Sequence, residues 1–333
     1  MNRLIILLVI ALSISTVGCK QGKVKKSLLP GVSGKAGEVV IVMDKNYWNG
    51  TPGEMVKNIL LQDVPGLPQS EPMINAVNIS NKAFSELFRI HRNIIVTSIS
   101  KNVKSNSITI EKDKWAQPQT IINIHAPNRE AFIELWKNKG DKVLATILDA
   151  EQTRLMKNYK KYIEKPVVEK LKASSGIKLV VPKGYTYDLD TNNFIWMSHE
   201  TPQISQGIFV YYYDYKDTTD FTQLNLINKR NEVLHNYVSG PRKGSYMTTE
   251  LQVLPEFRSY KWRGNYTAEL RGLWKVEGDY MGGPFISISQ FDEINNRVVT
   301  VEGFVYAPKY DKRNYIRQLE AILYSIDFVK LKQ

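Results

Sequence analysis

Two serine–lysine pairs have the Ser-x-x-Lys spacing at which a lysine can activate a serine nucleophile, provided that both side chains lie on one face of a helix. The spacing occurs at Ser98–Lys101 and again at Ser175–Lys178. The first pair falls at the end of a predicted strand, and the second falls in a loop of serine and glycine. Because neither is predicted to be helical, both are interpreted as chance matches.

Paired carboxylates are a second arrangement that could do chemistry. Glu277 and Asp279 precede the turn Met281–Pro284, and two carboxylates can carry out acid–base catalysis on a glycoside. A polar hairpin end explains the same residues equally well.

The four histidines are at least 34 residues apart and share no metal-binding motif, so neither a metal nor another cofactor is predicted.

Cys19 is the residue whose chemistry the sequence defines best. Arg3 is followed by an apolar run at residues 4–12, which is too short to span a bilayer and is typical of a secretory signal peptide. The small residue Gly18 stands directly before Cys19. This stretch resembles the lipobox of bacterial lipoproteins, although Thr16 stands where that pattern usually has Leu, Val or Ile. The resemblance implies that residues 1–18 are removed and that Cys19 is acylated.

Residues 19–37 are predicted to be a lipidated cysteine and a flexible tether. They contain five lysines and no acidic residue, and Gly, Ser and Lys cannot bury enough apolar surface to fold. The lysines would be attracted to anionic head groups, so the lipid bilayer is the first predicted partner. Surface-exported lipoproteins of the Bacteroidota share an acidic cluster after the cysteine. Its absence here favours the periplasmic face of the outer membrane.

The charge of the chain bears on its other partners. The formal net charge is +12, which favours an envelope protein or an anionic envelope polymer. Nucleic acid is excluded as a partner because an exported lipoprotein does not meet it.

The order of predicted elements indicates an α+β protein with two tandem units of mostly antiparallel sheet and packed helices, at residues 38–174 and 175–333. The hairpin-rich second unit is similar in layout to a PsbP/Mog1-type sandwich. Residues 121–147 and 298–326 both run strand, Ala-Pro, amphipathic helix. This similarity indicates either an internal duplication or a common local motif.

Aromatic residues provide the candidate binding positions. Tyr211, Tyr213 and Tyr215 share one face of a predicted strand, where they would bind a sugar or peptide if exposed. A covered sheet face, which we favour, would make them core residues. Trp48, in NYWNGTPG, and the adjacent Trp262 and Arg263, before a glycine, are candidate contact residues in loops.

Taken whole, the chain resembles an uncharacterised family of Bacteroidota lipoproteins known as domain of unknown function 4837. The resemblance rests on Cys19, on EVVIVMD after the tether, on LRGLWKVEGDYMGGPFIS at 270–287 and on the ending NYIRQLEAILYSIDF. It covers nearly all of the mature chain and implies no assigned activity. The leading hypothesis is therefore a membrane-anchored, non-enzymatic binding or interaction module of the cell envelope. The alternative is an envelope hydrolase acting on a glycan or peptide.

Overall fold

The structure is a computed structural model that describes residues 29–191 and 193–331. The predicted signal peptide, Cys19 and most of the predicted tether lie outside the described residues. Within them, seven α-helices and fifteen strands form a five-stranded sheet, an eight-stranded sheet and one two-stranded pair. The predicted α+β class is confirmed. No helix of the described ranges is both long enough and apolar enough to cross a membrane.

The first unit is built on the five-stranded sheet. Its elements are β1 (Glu38–Val42), α1 (Lys45–Trp48), α2 (Thr51–Leu60), β2 (Asn75–Ile79), α3 (Glu86–Arg89), β3 (Asn93–Ile99), β4 (Ser107–Lys112), β5 (Thr120–Ala126) and α4 (Arg129–Lys161). The strand order is β2-β1-β3-β5-β4, and every pair except β5–β4 is parallel. Most strand pairs of the described residues are antiparallel, as predicted, but this sheet is the exception.

Burial on both faces explains the parallel arrangement. Val39 and Ile41 of β1 face a core formed with α2 and α4, whereas Val40 and Val42 belong to a second cluster on the opposite face. Strands that are covered on both sides read as continuous apolar runs, which is typical of parallel sheets. The apolar run therefore predicted a strand correctly but did not reveal its direction.

The helix α4 is continuous over 33 residues and extends beyond residue 147, the end of the strand–Ala-Pro–helix pattern in the sequence. At 1.5 Å per residue it is about 50 Å long. Gly140 lies in its middle, where a side chain would meet Ile59 of α2 at 2.4 Å. This glycine permits close packing of two helices and does not end one.

The second unit is an antiparallel sheet between helices. Its elements are α5 (Lys165–Ser175), β6 (Ile177–Lys178), β7 (Thr186–Asp190), β8 (Phe194–Glu200), β9 (Ser205–Asp214), α6 (Gln223–Tyr237), β10 (Tyr246–Thr249), β11 (Glu256–Trp262), β12 (Asn265–Glu277), β13 (Gly282–Asp292), β14 (Arg297–Tyr306), α7 (Arg313–Leu323) and β15 (Asp327–Phe328). The strand order is β10-β12-β13-β14-β9-β8-β7, with β11 also paired to β12. Helices α5 and α7 pack on one face and α6 packs on the other.

The packing of α5 places the boundary between the units earlier in the chain than predicted. Helix α5 lies before the predicted boundary at residue 175, but its Val167 and Leu171 belong to the core of the second unit. The boundary therefore falls between α4 and α5. The two copies of the strand–Ala-Pro–helix pattern also lie in different settings, since β5 has a parallel neighbour and β14 has only antiparallel ones.

The described end of the predicted tether is part of the first unit. The backbone oxygen of Pro30 accepts a hydrogen bond from Gln117, and the backbone N–H of Ser33 donates to Ile90 at 2.9 Å. The oxygen of Ser33 also accepts from the N–H of Arg92. Residues 29–37 are thus fixed to the fold, in contrast to the prediction that the tether extends to residue 37.

Candidate functional site

A cleft separates the two units, with α4 on one side and α7 and β11 on the other. It contains an inner cavity of about 180 Å³ and an outer groove of about 370 Å³. Gln152 of α4 lines both spaces, so the two are neighbours within one cleft. Both units contribute walls, and the cleft therefore exists only when the units are docked.

A carboxylate of the first unit holds α7 in place. Glu71 is buried, and its two oxygens accept hydrogen bonds from the backbone N–H groups of Lys312 and Arg313 at 2.6 and 2.9 Å. A helix N-terminus carries partial positive charge and unpaired N–H groups, which a carboxylate satisfies. The side chain of Arg313 also donates to the backbone oxygen of Pro72 at 2.6 Å.

The outer groove contains two of the predicted candidates, Trp262 and Arg263. The indole Nε1 of Trp262 donates to the backbone oxygen of Tyr324 at 3.2 Å, and the two rings are 5.1 Å apart. Arg263 and Gly264 form the two-residue turn between β11 and β12, both with positive φ, which suits a tight hairpin. The guanidinium of Arg263 lies 5.6 Å from the centre of the Trp262 ring.

The charges of the outer groove are mainly positive. Lys157 and Lys160 of α4 line it opposite Arg263, and all three side chains are exposed. Asp149 is the one acidic residue among the lining residues. The groove therefore combines an aromatic surface with an excess of cations.

Glu269 of β12 organises the arginines at the edge of the cleft. The buried carboxylate accepts from Arg258 through both oxygens at 2.7 and 2.9 Å, and from Arg271 at 2.6 Å. The hydroxyls of Tyr260 and Tyr324 also donate to it. Burial alone would raise the pKa of Glu269, but the charges of Arg271 and Arg258 outweigh burial and hold it at about 2. The group is thus a permanent anion at neutral pH.

The inner cavity is lined by three arginines, Arg258, Arg271 and Arg317, and by Glu151 and Glu320. Its remaining walls are largely apolar. The sequence gave no indication of this cluster, because its members come from α4, β11, β12 and α7 and share no local spacing. Only the excess of basic residues in the whole chain pointed to an anionic partner.

The other predicted binding residues do not line the cleft. Tyr211 is 3% exposed, and Tyr213 and Tyr215 pack around the same cluster on the α6 face of the large sheet. This agrees with the favoured interpretation of the tyrosine row as core. Trp48 packs against the first core, with the Lys57 Nζ 4.5 Å from its ring centre.

The residues considered for catalysis are engaged separately. Glu277 pairs with Lys275 at 3.3 Å, while Asp279 pairs with Arg242 at 3.0 Å. Ser175 is fully buried and its hydroxyl donates to the backbone oxygen of Leu171. These contacts fit structural roles for the three residues.

Comparison with known protein families divides the chain at the same place as the packing does. The model of one family of unknown function covers α5 and nearly all of the second unit. Residues 164–325 match domain of unknown function 4837. This confirms the predicted resemblance to domain 4837, but only for the second unit. Residues 32–160 match a separate model, domain of unknown function 8532. No curated protein matches the chain.

Proposed function

We propose that the protein is an exported, lipid-anchored binding module of the cell envelope, and that the outer groove is its contact surface for an anionic envelope component. The observation that carries this proposal is the placement of Trp262 and Arg263 opposite Lys157 and Lys160. In this proposal the module is non-enzymatic. The acylated Cys19 attaches it to the outer membrane, where it faces the periplasm.

The chemistry of the groove suits an acidic polymer that contains sugar rings. An indole ring offers an apolar face to a sugar, and clustered cations attract carboxylates and phosphates. The groove is partly open to solvent, so a polymer could lie in it without entering an enclosed pocket. Lipopolysaccharide combines these features and is the probe for the test.

The proposal is tested by the binding of lipopolysaccharide to the mature chain carrying Cys19→Ser. The combined variant Lys157→Gln, Lys160→Gln and Arg263→Gln is expected to bind about tenfold more weakly and with a smaller dependence on salt, because it loses three groove cations.

A matched control distinguishes the groove from net charge. The combined variant Lys101→Gln, Lys104→Gln and Lys172→Gln removes three exposed cations that do not line the groove. It should retain the affinity of the parent protein. An equal loss of affinity in both triple variants would show that only the overall charge matters, and the groove would be rejected as the contact surface.

A further inference from the structure

We propose that the inner cavity is a binding site for a phosphoryl group, either free inorganic phosphate or the phosphate monoester of a larger ligand. The site is separate from the outer groove and goes beyond the function proposed for it. It lies between the two units, since α4 and the segment at residues 64–73 form one wall and β11, β12 and α7 form the other.

The acidic residues around the cavity are already engaged. Glu269 accepts from Arg258 and Arg271, and Glu320 pairs with Arg271. Glu151 accepts from Asn93 and Arg154, each at 2.7 Å, and lies 3.0 Å from Arg92. Glu269 and Glu320 are thus engaged by Arg258 and Arg271 of the cavity itself, and Glu151 is engaged by residues of the first unit.

Of the three cavity arginines, Arg317 is the one without a carboxylate partner among the described residues. Its Nη2 donates to the backbone oxygen of Met73, whereas its Nη1 is buried and has no hydrogen-bond partner among the described residues. A buried donor without an acceptor destabilises a folded protein. Such a donor in a native fold requires an explanation, of which a bound anion is one.

A second positive charge lies beside Arg317. Arg313 is one helical turn earlier, and both guanidinium groups approach Gly37, whose Cβ position would be 3.0 Å from Arg317 and 3.5 Å from Arg313. Burial is the main cause that lowers the pKa of Arg317 to about 10; the charges of Arg313 and Arg271 add to it, while those of Glu320 and Glu151 oppose it. Arg317 is thus a cation at neutral pH, and its Nη1 has no acceptor among the described residues.

A phosphoryl group fits these guanidinium donors better than a carboxylate does. Guanidinium groups bind phosphate through pairs of N–H donors, and here three of them reach the cavity from three different elements. A tetrahedral group with several oxygens can meet donors from several directions. The cavity of about 180 Å³ is several times the space of one water, which is about 30 Å³. Its apolar walls, including Leu148 and Leu155, strengthen charge interactions by excluding water.

The site is tested by the thermal stability and calorimetric titration of the mature chain with inorganic phosphate at constant ionic strength. Phosphate at ten to a hundred times its Kd should raise the Tm by about 3–8 °C, because the ion binds only the folded, docked units. Phenyl phosphate, a monoester, is titrated in parallel. Similar affinity would identify the free ion as sufficient, and tighter binding would identify the end group of a larger ligand.

Two variants and a control make the test specific. Arg317→Gln should abolish the phosphate-dependent shift while its Tm without phosphate is unchanged or higher, since a partly buried charge with an unpaired Nη1 is removed. Arg258→Gln, at a partly exposed arginine, should bind phosphate at least tenfold more weakly. Arg129→Gln alters an exposed arginine that does not line the cavity, and should respond as the parent protein does.

The inference would be overturned by a full phosphate response in Arg317→Gln and Arg258→Gln, or by an equal Tm increase with sodium acetate at the same ionic strength. Lipopolysaccharide binding and phosphate binding depend on different variants. Failure of the outer-groove proposal would therefore be seen separately from failure of this one.

Discussion

The carboxylate of Glu71 accepts a hydrogen bond from the backbone N–H of Arg313, which is 242 residues later in the chain. The contact joins a loop of the first unit to the first turn of α7 in the second. Since α7 forms one wall of the cleft, the position of Glu71 fixes the geometry of both the inner cavity and the outer groove.

Glu71→Gln is expected to lower the free energy of unfolding by about 1–2 kcal/mol, because it removes a buried negative charge from a helix N-terminus. Equilibrium unfolding in urea measures the change. Glu54→Gln is the control, since Glu54 is an exposed residue in the first turn of α2. Equal small effects of the two substitutions would argue against a special role for the Glu71 contact.

The low pKa of Glu269 predicts a specific dependence of stability on pH. The pKa of Glu269 is about 2 in the folded protein and about 4.5 without these interactions. Its contribution to the free energy of unfolding is therefore complete above pH 4.5 and is lost as the pH falls toward 2. Glu269→Gln should be less stable than the parent by about 3 kcal/mol at pH 6, and the difference should shrink below pH 4.

Thermal or urea unfolding between pH 2 and pH 6 measures this dependence. Glu256→Gln changes an exposed glutamate of the neighbouring strand and should show a small difference at every pH. A stability difference for Glu269→Gln that stays constant from pH 6 to pH 2 would contradict the prediction.

The buried ion pair of Arg230 and Glu302 predicts a strong, non-additive effect on stability. Both side chains are fully buried and are joined by two hydrogen bonds of 2.8 and 2.7 Å. Glu302→Gln should destabilise the protein by about 3–5 kcal/mol, because it leaves an uncompensated charge in the core. The double variant Arg230→Met with Glu302→Leu should recover most of this loss. Unfolding of the single and double variants in guanidinium chloride measures these changes in the free energy of unfolding. Additive losses of stability would contradict the prediction.

Lipidation of Cys19 is a separate prediction from the sequence. Cys19→Ser should abolish the incorporation of labelled palmitate, because the thiol that would take the lipid is absent. Thr16→Leu, which restores the usual lipobox pattern, should remain labelled. Labelling of Cys19→Ser would reject the proposed anchor.

Local patterns predicted much of the second unit. The pattern of residues 298–326 predicted a strand followed by a closing amphipathic helix, and the structure has β14 and α7 there. In α7 the hydrophobic period follows from one buried face, so neighbouring residues contain the information. The strand Tyr246–Thr249 was missed because it is only four residues long.

Long-range features could not be predicted in the same way. The direction of β1 and β3 depends on the elements that cover both sheet faces. The apolar runs of these strands do not indicate whether the strands are parallel or antiparallel. At the candidate site, Trp262 and Arg263 were detected because a glycine turn follows them. Arg317 was not detected from the sequence, because Arg258 and Arg271 become close to it only through the docking of α7.

The contact between Glu71 and α7 also has a consequence for biosynthesis. At about 5–20 residues per second, Arg313 is added to the growing chain roughly 12–50 s after Glu71. Throughout this interval the nascent first unit has no α7 against which to close. The cleft is therefore completed only after translation has reached the C-terminal segment, and a chain truncated before α7 would lack both the inner cavity and the outer groove.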